Sequence, residues 1–196
     1  MTRVYFVRHA QPEHDWEEDR TRPLTEEGKK DSAIVLEFLK DKKIDAFYCS
    51  PYKRSMDTIA EAADFFTKEI ITDERLRERE KGLDGNNHGM FRKRWADHNY
   101  HEEGGESIAM VQKRNIEALN EILSDNTDKD IVIGTHGTAL STILNFYDNN
   151  FGCEDFLRII DWMPYIIELD FESSCNELEF ECPSYSFKLI GKQEHC

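Results

Sequence analysis

No long apolar run occurs in this 196-residue chain. None of its hydrophobic stretches approaches the roughly 18 residues that a membrane-spanning helix needs. The N-terminal run at residues 4–7 is far shorter than the roughly 7–15 residues of a signal-peptide core, and Arg8 and His9 end it. We therefore interpret this run as a buried strand and expect a cytoplasmic protein that does not engage a membrane.

Paired cysteines are also lacking. The chain has 5 cysteines, an odd number, and they form no Cys-x-x-Cys pair. Small secreted scaffolds and zinc cages show regular, even cysteine spacing. The sequence therefore predicts neither a disulfide framework nor a structural zinc site.

Positive charge is scarce. The 25 lysines and arginines face 40 aspartates and glutamates, which gives a formal net charge of −15. Such a surface repels nucleic acid and anionic membranes, so neither is an expected partner. It also repels a phosphorylated substrate at long range, so a phosphate site here must be a local pocket of arginines.

Apolar runs and helical spacing alternate along most of the chain. Strands are predicted at residues 4–7, 45–48, 69–72 and 131–133, and helices at residues 25–39, 52–66, 106–122 and 138–147. Thr25 is the expected N-cap of the first helix. This order predicts a single domain over residues 1–196, a three-layer α/β/α sandwich with a mainly parallel sheet.

Two segments depart from that alternation. Residues 168–172 and 177–181 alternate strictly between acidic and apolar side chains, which predicts a C-terminal antiparallel strand pair at the sheet edge, with a turn at residues 173–176. Residues 76–105 fit neither period. Long irregular segments in compact domains often cover binding sites, so we predict a lid or insertion at about residues 79–105.

Two histidines and two arginines are expected to meet at one edge of the sheet. In parallel sheets, ligands bind at the carboxyl ends of the strands. The first strand ends in Arg8 and His9, Arg54 lies one turn into the helix after the second, and His136 follows the fourth. Arginine offers a fork of donors that fits phosphate, and a neutral imidazole is a nucleophile near pH 7.

Six short segments resemble the histidine phosphatase superfamily, also called the phosphoglycerate mutase-like family. In chain order they are Val7-Arg8-His9-Ala10, Pro23-Leu24-Thr25-Glu26-Glu27-Gly28, the segment Ser50-Pro51 to Thr58 with Arg54, Leu76-Arg77-Glu78 with Gly82 to Gly85, Gly105-Glu106-Ser107, and Thr135-His136-Gly137. Each segment alone is a weak signal, but six in the same order are a strong one.

The resemblance implies a role for each matched position. His9 would attack phosphorus and become phosphohistidine, without a metal or another cofactor. Arg8, Arg54 and His136 would hold the phosphoryl oxygens. Glu78 would give a proton to the leaving oxygen, with Glu80 and Asp84 as alternatives. Further candidates for phosphate binding are Gly137, Thr138 and Thr25.

The chain also departs from the family pattern. Pro12 and Asp15 stand where mutase-type members have Thr and Asn, and an aspartate cannot donate a hydrogen bond to phosphate. This difference favours a phosphatase that acts on a small phosphomonoester over a phosphoglycerate mutase-like isomerase. Two alternatives of another class stay open: a non-catalytic phosphate-binding module, and a metal-dependent hydrolase that uses His98 and His101. The sequence predicts neither the particular substrate nor the oligomeric state.

Overall fold

The computed structural model describes residues 1–83, 88–173 and 180–193, and these fold around one six-stranded sheet. The strands are β1 (Thr2–Arg8), β2 (Ala46–Cys49), β3 (Ile70–Thr72), β4 (Asp130–Thr135), β5 (Trp162–Ser173) and β6 (Phe180–Gln193). Their order across the sheet is β3-β2-β4-β1-β5-β6. The first four strands in the sheet are parallel, and β5 and β6 are antiparallel to their neighbours.

Helices fill the connections between the strands. They are α1 (Glu26–Asp31), α2 (Ala33–Leu39), α3 (Lys53–Phe65), α4 (Phe91–Ala96), α5 (Ile108–Asp125), α6 (Gly137–Tyr147) and α7 (Cys153–Ile159). Short 3-10 turns cover Glu74–Leu76 and His88–Met90. Among the described helices, none has the length and apolar character needed to cross a membrane.

Two apolar cores cover the two faces of the sheet. Alternate residues of β1 point to opposite faces, so Tyr5 and Val7 lie in the core with α2 and α3, while Val4 and Phe6 lie in the core with α5, α6 and α7. All four side chains are buried. The predicted three-layer α/β/α sandwich is confirmed, and so is the reason for a continuous apolar run in the first strand.

The C-terminal strand pair is confirmed but is longer than predicted. Strand β5 begins at Trp162 and pairs with the buried strand β1, so its acidic residues lie inside the sheet. Arg3 of β1 makes this possible, because its Nε atom lies 2.6 Å from Asp170 Oδ1 and 3.1 Å from Glu168 Oε1. The predicted turn, apart from Ser173, and residues 177–179 lie outside the described residues.

The helix predicted at residues 25–39 is divided in two at Ser32, and the short helices α4 and α7 were not predicted.

Helix α4 lies within the predicted lid and is held against α7. Trp95 packs on Phe151 and Phe156, and a buried ion pair joins Arg94 to Glu102. Within residues 91–105, the predicted lid is therefore a packed part of the domain.

Candidate active site

The strand order brings the two predicted histidines together. Strands β1 and β4 are neighbours with Arg8 opposite Thr135, and the His9 amide donates to the Thr135 carbonyl at 3.2 Å. His9 and His136 each follow one of these strands. Their ring centroids lie 5.2 Å apart, and both residues are buried.

The His9 ring presents one nitrogen as a free lone pair. Its Nδ1 atom lies 2.7 Å from the Ala10 carbonyl oxygen. Since a carbonyl only accepts, Nδ1 carries the hydrogen, and Nε2 makes no hydrogen bond to any described residue. Burial lowers the pKa of His9 well below 6.5, and the charges of Arg54 and Arg8 lower it further. The imidazole is therefore neutral near pH 7, as a nucleophile requires.

Ser50 holds the His136 ring. The Ser50 hydroxyl oxygen accepts from the Tyr52 amide at 3.3 Å and lies 2.7 Å from His136 Nε2. A serine hydroxyl can donate one hydrogen bond and accept two, so this contact fits both tautomers of the ring. The Nδ1 atom of His136 is buried and has no hydrogen-bond partner among the described residues.

The pKa of His136 is also well below its usual value. Burial is the main cause, followed by the charge of Arg54. The resemblance gives His136 the task of holding the phosphoryl oxygens. With a neutral ring, this task requires the tautomer that carries its hydrogen on Nδ1, the nitrogen that Ser50 does not contact.

Arg8 is fixed from behind by main-chain carbonyls. Its Nη1 atom donates to Ile160 at 2.6 Å, to Trp162 at 3.0 Å and to Ile159 at 3.1 Å, all at the end of α7 and the start of β5. Its Nε atom is buried and lacks a partner in the described part of the chain. The guanidinium passes so close to Gly137 that a Cβ there would lie 3.3 Å from it. Gly137 therefore leaves room for Arg8 at the N-terminus of α6.

Arg54 is buried and carries a carboxylate partner that was not predicted. Its Nη1 atom donates to the Asp19 carbonyl at 2.7 Å and to Asp19 Oδ1 at 3.2 Å. The same Oδ1 lies 3.0 Å from Nη1 of Arg22. A carboxylate thus sits between two guanidinium groups, in the manner of a bound anion. In the sequence, the signal that could have indicated this contact was the group of charged residues directly before the Pro23-Leu24-Thr25 segment.

Glu78 occupies the N-terminus of α6. Its Oε2 accepts from the Thr138 amide at 3.0 Å, and its Oε1 accepts from the amides of Ala139 at 3.1 Å and Arg79 at 2.7 Å. The amides expected to bind phosphate at this helix end therefore hold a carboxylate instead. Glu80 is exposed, and Asp84 lies outside the described residues, so the geometry favours Glu78 as the acidic group of the site.

Thr25 acts as the helix cap that was predicted. Its hydroxyl accepts from the Gly28 amide at 2.9 Å and donates to Gln11 Oε1 at 2.6 Å. The hydroxyl therefore joins the first turn of α1 to the loop after β1. The structure gives Thr25 a structural contact, and its predicted role in phosphate binding stays a prediction.

His98 and His101 do not form the pair that a metal site requires. Helix α4 ends at Ala96, so the two residues do not share a helix face. The His98 ring packs edge-on against Trp95, and the His101 ring bonds to the carbonyl of Glu102. Across the described ranges, no group of three or more His, Cys, Asp or Glu side chains is placed to hold a metal ion.

Comparison with known proteins agrees with the motifs. The family model described as "Histidine phosphatase superfamily (branch 1)" matches residues 4–159. Phosphoserine phosphatase 1 of Hydrogenobacter thermophilus is 29% identical over 154 residues, 69% of this chain and 71% of its own. A 2,3-bisphosphoglycerate-dependent phosphoglycerate mutase of Thermoplasma acidophilum is 44% identical over 55 residues, 28% of each chain.

A solved structure supports the fold. Phosphoserine phosphatase from Entamoeba histolytica in complex with 3-phosphoglyceric acid superposes with a TM-score of 0.74 at 21% identity, covering 96% of this chain and 98% of that one. Together with the family match, this likeness confirms both the fold and the resemblance predicted from the six segments.

Proposed function

Because the chain belongs to the histidine phosphatase superfamily and is a hydrolase of phosphomonoesters, we propose that it works through a phosphohistidine on His9 without a metal. The observation that carries this proposal is the state of the His9 ring. A buried, neutral imidazole has one nitrogen fixed by the Ala10 carbonyl and the other unbonded. This is the arrangement of an oriented nucleophile.

In the first step, the lone pair on His9 Nε2 forms a bond to phosphorus as the bond from phosphorus to the ester oxygen breaks. The ring gains positive charge, which the Nδ1–H bond to the Ala10 carbonyl stabilises. Arg8, Arg54 and the Nδ1–H of His136 face the phosphoryl oxygens. The Nε atom of Arg8 and the Nδ1 atom of His136 are buried without a partner among the described residues, so they need no reorganisation when the anion arrives, whereas Arg54 already binds Asp19.

Glu78 gives the leaving oxygen its proton and later takes one from the attacking water. Its Oε1 already accepts two amide hydrogens, while Oε2 accepts one and keeps a position for a proton. Water then attacks phosphorus, the nitrogen–phosphorus bond breaks, and the electron pair returns to His9. Phosphate leaves, and both side chains regain their starting states.

The substrate we propose is a small phosphomonoester that also carries a carboxylate. The relatives named phosphoserine phosphatase and the complex with 3-phosphoglyceric acid share that chemistry. Within this chain, further guanidinium groups lie near Arg54. Arg20 stacks over the Tyr52 ring with its Cζ atom 5.3 Å from the centroid and pairs with Glu74, and Arg22 pairs with Asp19. A substrate carboxylate would replace one of these acidic partners on its guanidinium group.

Turnover of phosphoserine and phenyl phosphate in excess chelator tests this proposal. We expect full activity in chelator, loss of about 10³-fold or more in kcat for His9→Ala, and acid-labile, base-stable label on His9 after a phosphate-labelled substrate. Loss of activity in chelator would support the metal-dependent alternative. Phosphate binding without turnover would support a binding module, and transfer between positions faster than release would support a mutase.

A further inference from the structure

We propose that Arg114 of α5, together with Glu106, is a positioning device that places Glu78 for proton transfer. This inference rests on the proposed role of Glu78 and adds two residues to it. Their side chains bind main-chain groups, each other and Arg77, and neither bonds to the His9 ring or the Glu78 carboxylate among the described residues. Both act on the segment from Arg75 to Glu80 that presents Glu78 to the site.

Arg114 holds the main chain of that segment. Its Nη1 atom donates to the carbonyls of Arg75 at 2.6 Å and Arg77 at 2.8 Å, and its Nη2 atom donates to the carbonyl of Glu78 at 3.0 Å. The Arg114 side chain is 13% exposed. Three carbonyls from four successive residues are therefore fixed by one side chain on a long helix.

Glu106 fixes Arg114 in turn. Its two oxygens accept from Arg114 Nε and Nη2, both at 2.9 Å. The Glu80 amide donates to the same carboxylate at 2.9 Å, and Arg77 donates at 3.1 Å. Burial opposes ionisation of Glu106, yet the hydrogen bonds from Arg114 and the Glu80 amide bring its pKa below the usual value. The segment is thus held on both sides of Glu78.

Every N–H of the Arg114 guanidinium is used in this arrangement. One Nε–H and one Nη2–H go to Glu106, the other Nη2–H goes to Glu78, and the two Nη1–H groups go to Arg75 and Arg77. A lysine at this position has three donors on one point charge and cannot reproduce a planar set of five. These five hydrogen bonds therefore require arginine at this position. A simple ion pair with Glu106 could be formed by lysine as well.

These contacts hold Glu78 in a single position. Its backbone is fixed by Arg114, and its carboxylate is fixed by the amides of Thr138 and Ala139 at the start of α6. Proton transfer requires the donor within hydrogen-bond reach of the leaving oxygen, and a displacement of about 1 Å can cost about 10²-fold in rate. Loosening this main-chain segment should therefore reduce proton donation by Glu78 more than nucleophilic attack by His9.

Leaving-group dependence of kcat/KM provides the test. Phenyl phosphate needs a proton on its leaving oxygen, because phenol has a pKa of about 10, whereas dinitrophenyl phosphate does not. We expect Glu78→Gln to lower kcat/KM by about 10²-fold for phenyl phosphate and by less than about threefold for dinitrophenyl phosphate. Arg114→Lys and Glu106→Gln should repeat this pattern at about tenfold, and Glu78→Gln/Arg114→Lys should be no more selective than Glu78→Gln.

Arg92→Lys is the matched control. Its exposed side chain pairs with Glu154 of α7, outside the segment from Arg75 to Glu80, so both substrates should react at the wild-type rate. Circular dichroism and thermal unfolding check that each variant is folded. If Arg114→Lys does not fold, Glu106→Gln tests the positioning role.

Two outcomes separate the possible failures. If Glu78→Gln slows both phosphate esters equally, the acid role in the proposed function is wrong and the positioning role falls with it. If Glu78→Gln is selective but Arg114→Lys and Glu106→Gln slow both esters equally, the positioning role alone is overturned and Arg114 is structural.

Discussion

At the scale of single residues, we assign the hydrogen of the His136 ring to Nδ1, since a neutral ring can donate to the phosphoryl group only from the nitrogen that Ser50 does not contact. The Ser50 hydroxyl then donates to Nε2 and favours this tautomer. Replacing Ser50 by alanine removes this preference, so we expect kcat to fall by about tenfold, close to the value of one lost transition-state hydrogen bond. Steady-state kinetics with phenyl phosphate measure the effect, with exposed Ser124→Ala as the control. An unchanged kcat in Ser50→Ala would contradict the assignment of the tautomer.

Asp19 places negative charge where an anionic substrate must be attracted. Its carboxylate contacts both Arg54 and Arg22, so an incoming phosphate meets a local repulsion. Asp19→Asn keeps an acceptor oxygen for the arginines but removes the charge. We therefore expect inorganic phosphate to inhibit this variant about three- to tenfold more tightly, or about 1 kcal/mol.

Asp15→Asn is the natural comparison for that measurement. Asp15 was the residue singled out from the sequence as unable to donate to phosphate, yet it is exposed, whereas Asp19 is the carboxylate held on Arg54. Its inhibition constant for phosphate should stay near the wild-type value. Tighter inhibition in Asp15→Asn, with no change in Asp19→Asn, would reverse the roles of the two acids.

At the scale of elements, Gly137 at the start of α6 lies against the Arg8 guanidinium. Alanine is a better helix former than glycine by up to about 1 kcal/mol, so Gly137→Ala should leave the thermal midpoint unchanged or raise it. The new Cβ would nevertheless lie 3.3 Å from the Arg8 guanidinium and push it from the phosphate site. We expect kcat/KM to fall by about tenfold while stability is kept.

Gly152→Ala at the N-cap of α7 controls for the loss of a glycine as such. A Cβ there meets no atom closer than 4.0 Å, so activity should not change. Equal activity of Gly137→Ala and the wild type would mean that Arg8 has room to move without cost.

The elements also show how far the sequence predicts the molecule. Continuous apolar runs predicted β1 and β4, and their parallel direction followed from the alternation of strands and helices. Because His9 and His136 directly follow those strands, the sequence placed both at one edge of the sheet, whereas the direct pairing of β1 with β4 was not predicted. The cap at Thr25 was likewise local information.

Contacts between distant segments were beyond the sequence pattern. The carbonyls that hold Arg8 come from residues about 150 positions away, at the end of a seven-residue helix too short to show a period. The same holds for Arg114, whose partners lie 36 to 39 positions earlier. Side chains that bind main-chain carbonyls leave no residue pattern at the partner position, so these contacts require coordinates.

At the scale of the whole molecule, acidification has two opposing effects on stability. Lowering the pH relieves repulsion within a chain of net charge −15. It also protonates His9 and His136 in the unfolded chain, while in the folded chain burial keeps their pKa well below 6.5. Since the unfolded state then binds more protons, these two residues lower the free energy of unfolding as the pH falls through about 6.5.

Comparison of wild type with His136→Gln isolates the histidine contribution from the charge of the whole chain. When the pH falls from about 7.5 to about 5.5, a range above the titration of ordinary carboxylates, each buried neutral histidine should lower the free energy of unfolding by about 1 kcal/mol. Urea unfolding at the two pH values should show the wild type losing about 1 kcal/mol more than the variant, whatever their absolute stabilities. Equal losses in the two proteins would mean that His136 accepts a proton in the folded state, and that its ring is not the neutral donor on which the phosphate site depends.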